Sequence, residues 1–190
     1  MLRLLLLITL LAAPAPQAAV RWHDTSLESV SVILDHEQPA ELRELLERGL
    51  ELRFRTNIKL CRKRGFWFDP CGKTGLEIKQ IKRDQLSDNY RISEDRFYDQ
   101  EEPLTRSVER LDDALQQARH VSAYPLKIIL GRQDLAQARR SKRSYLYVRL
   151  EVEVVRSRSM VEWGTYLLSL GLLDAKSYDS GWHKFYLSDL

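Results

Sequence analysis

The sequence predicts an α+β fold: a mainly antiparallel β-sheet of six or more strands covered by one or two helices. Several segments alternate apolar and polar residues with a period of two, which indicates strands with one buried and one solvated face. Only two segments repeat apolar residues at helical spacing, and few helices separate the strands, so an antiparallel sheet is favoured. The alternative is a β-sandwich with a peripheral helix.

The N-terminus, MLRLLLLITLLAAPAPQAAV, has the layout of a secretory signal peptide, with Arg3, an apolar run over 4–13, and then small residues and prolines. The run is shorter than the roughly 20 residues that a membrane-spanning helix needs, which favours a cleaved signal. Cleavage after Ala18 or Ala19 predicts a signal over 1–19 and one exported α+β domain over 20–190. The remaining length of about 170 residues suits a single domain.

Two elements are predicted before the first long strand. The β-branched run VSVIL at 30–34 predicts a strand. A short amphipathic helix is predicted over 39–49, because Pro39 suits a first helical turn, leucines recur at helical spacing and Gly49 provides a stop.

The segment 50–61 predicts a two-sided strand, with alternating apolar residues and Cys61 on the polar face. The apolar face consists of Leu50, Leu52, Phe54, Ile58 and Leu60. Short runs at 66–68, 75–84 and 89–93 are rich in aromatic or β-branched residues and predict sequential antiparallel strands.

A helix is predicted over 107–119 after a polar loop at 94–104, and it is the best candidate to cover the sheet. Its apolar stripe consists of Val108, Leu111, Leu115 and Ala118. Either Thr105 or Ser107 is expected to cap it by accepting a hydrogen bond from a free backbone amide.

The rest of the chain predicts three more elements. The run LKIIL at 126–130 predicts a buried strand, and a basic, exposed connection with one helical turn follows it. The segment 144–155 has the most regular alternation in the chain, with leucines and valines at even positions facing the core. A last strand is predicted at 182–187.

Cys61 and Cys71 are the two cysteines of the chain, and they predict a disulfide that staples a turn. Their spacing differs from the Cys-x-x-Cys of thiol oxidoreductases, and Asp69-Pro70 has the composition of a turn. Export would place both in an oxidising compartment, where a disulfide is the expected state.

Composition and spacing give no support to an enzyme. The formal net charge is +3 from many charges of both signs, which is too even to favour nucleic acid. The four histidines lack the spacing of metal ligands, and no Gly-x-Ser-x-Gly motif is present. We therefore expect no catalytic residue, metal or cofactor, and paired acids such as Glu151 and Glu153 are expected on a solvated face near Arg149.

The segment 160–173, MVEWGTYLLSLGLL, is the least ordinary part of the sequence, with five leucines and one charge. It either lies buried over the open end of the sheet or contacts a lipid or a partner protein. Basic clusters at 62–64 and 139–143 fit solvated loops or contact with anionic head groups. The predicted contact residues are Arg156, Arg158, Trp163, Tyr166, Leu167, Leu168 and Leu170.

Several motifs in order resemble a family of exported proteobacterial proteins that is known only as a domain of unknown function. The motifs are Arg62 with Trp67, Phe68 and Asp69, Tyr90 to Ile92, Leu111 to Leu115, Tyr145 to Leu150, and Trp182. The resemblance implies a periplasmic single-domain protein without established activity, sometimes encoded beside a membrane sensor kinase, and it carries over no catalytic residue. The cysteines and the segment 160–173 depart from the family pattern.

Two functions are therefore expected to compete. The first is a non-catalytic periplasmic module that binds an envelope protein or lipid, with a membrane sensor protein among the candidates and peripheral membrane contact through 160–173. The second is a lipid or small-molecule carrier with an apolar pocket between sheet and helix.

Overall fold

The computed structural model describes residues 17–23, 28–35, 40–65, 68–96, 103–130, 135–155 and 178–190. The strands are β1 Gln17–Trp22, β2 Ser29–Asp35, β3 Glu51–Arg62, β4 Cys71–Arg83, β5 Tyr90–Arg96, β6 Leu104–Val108, β7 His120–Pro125, β8 Ser144–Val155, β9 Tyr178–Asp179 and β10 His183–Tyr186. The helices are α1 Ala40–Glu47, α2 Leu111–Arg119 and α3 Leu135–Arg140, with 3₁₀ turns at Leu126–Ile128 and Leu187–Asp189.

All described strand pairs are antiparallel and form two sheets, so the predicted α+β class is confirmed. The larger sheet has seven strands, in the order β10-β8-β3-β4-β5-β6 with β9 also paired to β8. The smaller one has three, in the order β1-β2-β7. The long strands β3, β4 and β8 lie side by side at the centre of the larger sheet.

The core lies on one face of the seven-stranded sheet, where α1, α2 and the small sheet contribute to it. Buried members include Phe54 and Ile58 of β3, Val32 of β2, Leu46 of α1 and Leu115 of α2. The opposite face of this sheet, which we call the outer face, turns away from these helices. The strands predicted at 50–61 and 144–155 are confirmed, with the predicted apolar residues of 144–155 toward the core.

The second helix is shorter than predicted, because its first residues form a strand instead. Residues 104–108 pair with β5, so Thr105 and Ser107 belong to β6 and cap nothing. The helix begins at Leu111, and its N-cap residue Arg110 makes no side-chain capping hydrogen bond. The prediction of a helix from 107 was wrong because Val108 fits the helical stripe as well as the strand.

Two predicted strands are also corrected. The run at 126–130 is a 3₁₀ turn after β7; Leu126 and Ile129 are buried as expected, but the Leu126 amide donates to the carbonyl of Glu28 instead of a strand ladder. Phe68, in the predicted strand 66–68, lies outside any strand, and residues 66–67 fall outside the described ranges. Strand β1 was not predicted, since its first residues were assigned to the signal peptide.

Candidate partner-binding face and basic end

The outer face carries alternating charged residues of β3 and β8, and these largely neutralise one another. Arg149 lies 3.0 Å from Glu151 and donates from Nε to Asp179 at 2.8 Å. Arg55 lies 3.2 Å from Glu153. Arg149 therefore balances Glu151 as expected, whereas Glu153 is balanced by Arg55 of the neighbouring strand.

Cys61 and Cys71 form a disulfide between β3 and β4, as the sequence predicted. The two residues lie directly opposite each other, with their Cα atoms 4.0 Å apart. Cys61 also pairs with Tyr145 of β8, which places it on the outer face as its parity predicted. It is nevertheless fully buried, so this end of the outer face is covered by its own side chains.

Asp69 connects the β3–β4 turn to β8 beside the disulfide. Its carboxylate accepts a 2.6 Å hydrogen bond from the Tyr145 hydroxyl and a 2.8 Å bond from the Arg64 amide. These bonds lower the pKa of Asp69, with the Tyr145 hydroxyl as the main cause. Burial and the bond to Asp69 raise the pKa of Tyr145. The turn is therefore held by a carboxylate that stays ionised.

Aromatic rings and cations alternate next to this turn. Tyr145 and Tyr147 pack edge to face with ring centroids 5.0 Å apart, and Trp182 lies 5.9 Å from Tyr147. The Lys184 ammonium lies 3.7 Å from the Tyr145 ring, and that of Lys59 lies 4.5 Å from the Trp182 ring. We call these five residues the aromatic–cation cluster. The cations contact ring faces, as in cation–π interactions, and Trp182 remains 39% exposed.

Two basic segments that are far apart in the sequence meet at the disulfide end. The Lys63 amide donates to the Arg143 carbonyl at 2.7 Å, and Arg62 pairs with Ser144. Phe68 protrudes from the same turn and is 92% exposed. We call the five exposed cations there the basic end: Arg62, Lys63, Arg64, Lys142 and Arg143. Within the described residues, none of these five side chains forms an ion pair.

A buried charge cluster lies on the core side of β4 and was not predicted. The Lys79 ammonium is 3.1 Å from Glu77 and 3.8 Å from Glu94, and it donates to the carbonyls of Gln117 and His120 at the end of α2. Burial raises the pKa of Glu77, although Lys79 opposes this effect. Burial and Lys79 together lower the pKa of His120. This cluster therefore fastens α2 to the sheet.

Two cavities accompany these features. One of about 140 Å³ lies beside the buried charge cluster, and its lining includes Lys79, Glu94, Arg96, Arg106 and His120. A larger one of about 350 Å³ lies among β1, α3 and the C-terminal 3₁₀ turn, and its lining includes Trp22, Arg139, Arg140 and Leu187.

Groups that could hold a metal ion were searched for in the described ranges, and no cluster of three or more ligand residues was found there. Likewise, no described helix is long and apolar enough to cross a membrane.

The comparison with protein families identifies a family for this chain. A family model described as "Domain of unknown function (DUF4390)" matches residues 17–159, about three quarters of the chain. The chain belongs to the DUF4390 family. No curated protein and no solved structure matches it. The DUF4390 match covers β1 to β8, and hence the disulfide and the basic end, whereas Trp182 and β10 lie beyond it.

The contact residues predicted from the sequence lie partly within the family match and partly beyond it. Arg156 and Arg158 fall within the DUF4390 match, and the others lie past its end. All seven lie outside the described residues: Arg156, Arg158, Trp163, Tyr166, Leu167, Leu168 and Leu170. Their flanks are described: Val155 pairs with Glu51 and Tyr178 with Val152, whereas Ser144 at the other end of β8 pairs with Arg62. The flanks therefore leave the sheet at the end opposite the basic end.

Proposed function

We propose that this chain is a non-catalytic periplasmic module that binds a protein or lipid partner at the envelope. The basic end carries the proposal: its five exposed cations form no ion pair among the described residues, and the exposed Phe68 lies in the same turn as Lys63 and Arg64. Unneutralised surface charge beside an exposed aromatic ring favours a partner with an anionic surface. A membrane sensor protein stays among the candidates.

The environment of Tyr124, Tyr145 and Asp69 gives no support to a catalytic site at the basic end. Burial, followed by the charge of Glu77, raises the pKa of Tyr124 to about 12, and this ring packs in the core. The pKa values of Tyr145 and Asp69 are shifted because the two side chains share a hydrogen bond that holds a turn. Perturbed pKa values mark active sites when the groups converge in a cleft, whereas these groups serve packing.

Export is supported by the composition of residues 1–19 and by the disulfide. An oxidised pair is the expected state of cysteines in the periplasm and is rare in the cytosol. We retain 160–173, with Arg156 and Arg158, as a second proposed contact that can touch a membrane peripherally.

Photo-crosslinking in intact cells tests the proposal directly. A photoreactive residue at Phe68 is expected to give a specific protein or lipid adduct from the envelope. Leu86, in the turn between β4 and β5, is fully exposed and serves as the matched control position. Deletion of 160–173 is expected to weaken capture of the same partner while the domain stays folded. Equal labelling at both positions, with capture unaffected by the deletion, would reject the proposal.

The carrier function remains the alternative. The cavity between the sheet and α2 is about 140 Å³ and is lined by charged side chains, which favours the binding module. The cavity of about 350 Å³ beside Trp22 falls within the usual size range of small-ligand sites and favours a carrier at that position. Lipid recovered with the purified protein, and lost in Trp22→Ala but not in Phe68→Ala, would favour the carrier.

A further inference from the structure

We propose that the basic end binds an anionic phospholipid bilayer, with its cations on the head groups and Phe68 inserted between them. This inference rests on the proposed function and names the partner of that site. The other classes of anionic partner, acidic proteins above all, become outcomes of the test.

The first step of the argument is the charge. Asp69 is the carboxylate of this turn and stays ionised, so it offsets one of the five cations and leaves an excess of positive charge at the basic end. The exposed cations Lys73 and Lys184 extend the positive surface along the neighbouring strands. Basic residues close to an anionic leaflet each strengthen its binding, and several of them act together.

The second step is the rigidity of the surface. The Lys63–Arg143 backbone bond joins the two basic loops, and the Cys61–Cys71 disulfide closes the base of one of them. The cations are therefore presented together, and little order is lost when they meet a charged plane. The long stems of arginine and lysine can lie along the acyl boundary while their charged groups stay at the head groups.

The third step is the kind of apolar group. Phe68 is 92% exposed and is followed by Asp69, and Trp182 of the aromatic–cation cluster stands among cations. Exposed rings beside cations suit insertion at a head-group boundary, where aromatic residues concentrate in membrane proteins.

Vesicle co-sedimentation of the chain purified from the envelope tests this inference. We expect binding to vesicles of phosphatidylcholine with phosphatidylglycerol, weakening as salt rises, and little binding to phosphatidylcholine alone. The variant Arg62→Gln/Arg64→Gln should lower the partition coefficient about 25-fold, at about fivefold per cation. Phe68→Ala should lower it about tenfold.

The matched control is Lys82→Gln/Arg110→Gln, which removes the same number of exposed cations elsewhere. Lys82 lies eleven residues along β4 from Cys71, about 36 Å at the usual rise of a strand. The control should bind anionic vesicles like the parent chain. An equal loss in the control, or no binding to anionic vesicles by the parent, would overturn the inference. A protein adduct from Phe68 in cells would then leave the proposed function standing with an acidic protein as partner.

Discussion

Glu77 and Lys79 place opposite charges on the core side of β4, where only 1% and 6% of their respective surfaces are exposed. Lys79 is the more constrained of the two, because it also donates to carbonyls at the end of α2. The last carbonyls of a helix have no amide four residues further on within the helix, and the Gln117 carbonyl accepts from the His120 amide as well as from Lys79. Lys79 therefore links a buried carboxylate to the C-terminus of a helix.

Replacing Lys79 should consequently destabilise the fold more than replacing Glu77. We expect Lys79→Met to lower the free energy of unfolding by about 3–5 kcal/mol, because it leaves a buried carboxylate without its cation. Glu77→Gln should cost less, and the double variant should be more stable than Lys79→Met. Denaturant unfolding of the four proteins measures the coupling. The control Lys82→Met changes an exposed lysine of β4 and should have little effect.

The pH dependence of stability gives an independent test of the burial of the Glu77 carboxyl group. Its pKa is raised in the folded chain, so the folded state holds this proton to higher pH than the unfolded state does. Its ionisation therefore removes stability as the pH rises from about 4.5 through the folded pKa. Glu77→Gln should abolish this loss. An equal loss of stability with rising pH in the parent and in Glu77→Gln would show that Glu77 does not behave as a buried acid. Additive free energies of unfolding for Glu77→Gln and Lys79→Met would support the same conclusion.

At the scale of elements, the central strands were predictable and the peripheral ones were not. Apolar and polar residues alternate along β3 and β8, which have twelve residues each, and one face is buried along most of their length. The period of two therefore predicts which of their residues face the core. Residues 104–108 are too few to distinguish a strand from the first turn of a helix. Pairing with β5, which is a long-range contact, decides in favour of a strand.

The faces of β4 illustrate a second limit. Its apolar residues Leu76 and Ile78 alternate with Glu77 and Lys79, and the usual rule would bury the apolar pair. The register with β3 instead sets Lys79 opposite Phe54 on the core face. The charges are tolerated there because α2 and Glu94 supply partners, and no local pattern in the sequence contains that information.

The candidate site was predictable only in its parts. The disulfide and both basic clusters follow from the sequence, but the meeting of the clusters depends on the pairing of β3 with the start of β8. The aromatic–cation cluster likewise needs β10 beside β8, where Lys184 lies opposite Tyr147. Residues that meet through long-range pairing leave no spacing that a sequence pattern can detect.

The disulfide ties the two central hairpin strands at the basic end, so its reduction should weaken both the fold and the presentation of the cations. The ring spans residues 61–71, and its opening should lower the free energy of unfolding by about 2.8 kcal/mol on the chain-entropy estimate. Denaturant unfolding with and without reductant measures this change.

The variant Cys61→Ala/Cys71→Ala provides the control for that measurement, because it should be less stable than the parent and indifferent to reductant. An unchanged stability of the parent on reduction would show that backbone pairing alone fixes this end of the hairpin.

The whole molecule has two ends of different chemistry. β8 spans about 40 Å at the usual rise per residue, with the basic end at Ser144 and the flank of 160–173 at Val155. The basic end and the flanks of the second proposed contact therefore lie at opposite ends of the sheet, so a partner that engages both must extend along the length of β8. Contact with an envelope partner at either end requires that the domain reaches the periplasm.

Both proposed envelope contacts therefore depend on the predicted export of the chain. Cleavage after Ala18 or Ala19 still leaves Val20, Arg21 and Trp22 to pair with β2, so the small sheet keeps at least half of its β1 ladder. We expect the purified envelope protein to have the mass of a chain lacking 18 or 19 residues, with thiols that react only after reduction.

Leu7→Arg interrupts the apolar run of the predicted signal and provides the matched control. This variant should keep its full mass, stay in the cytoplasm and react with a thiol reagent before reduction, because a cytosolic disulfide is seldom maintained. A parent chain that retains residues 1–19 and carries free thiols would contradict export. The basic end would then face anionic partners inside the cell, and the envelope proposals would fail together with the signal.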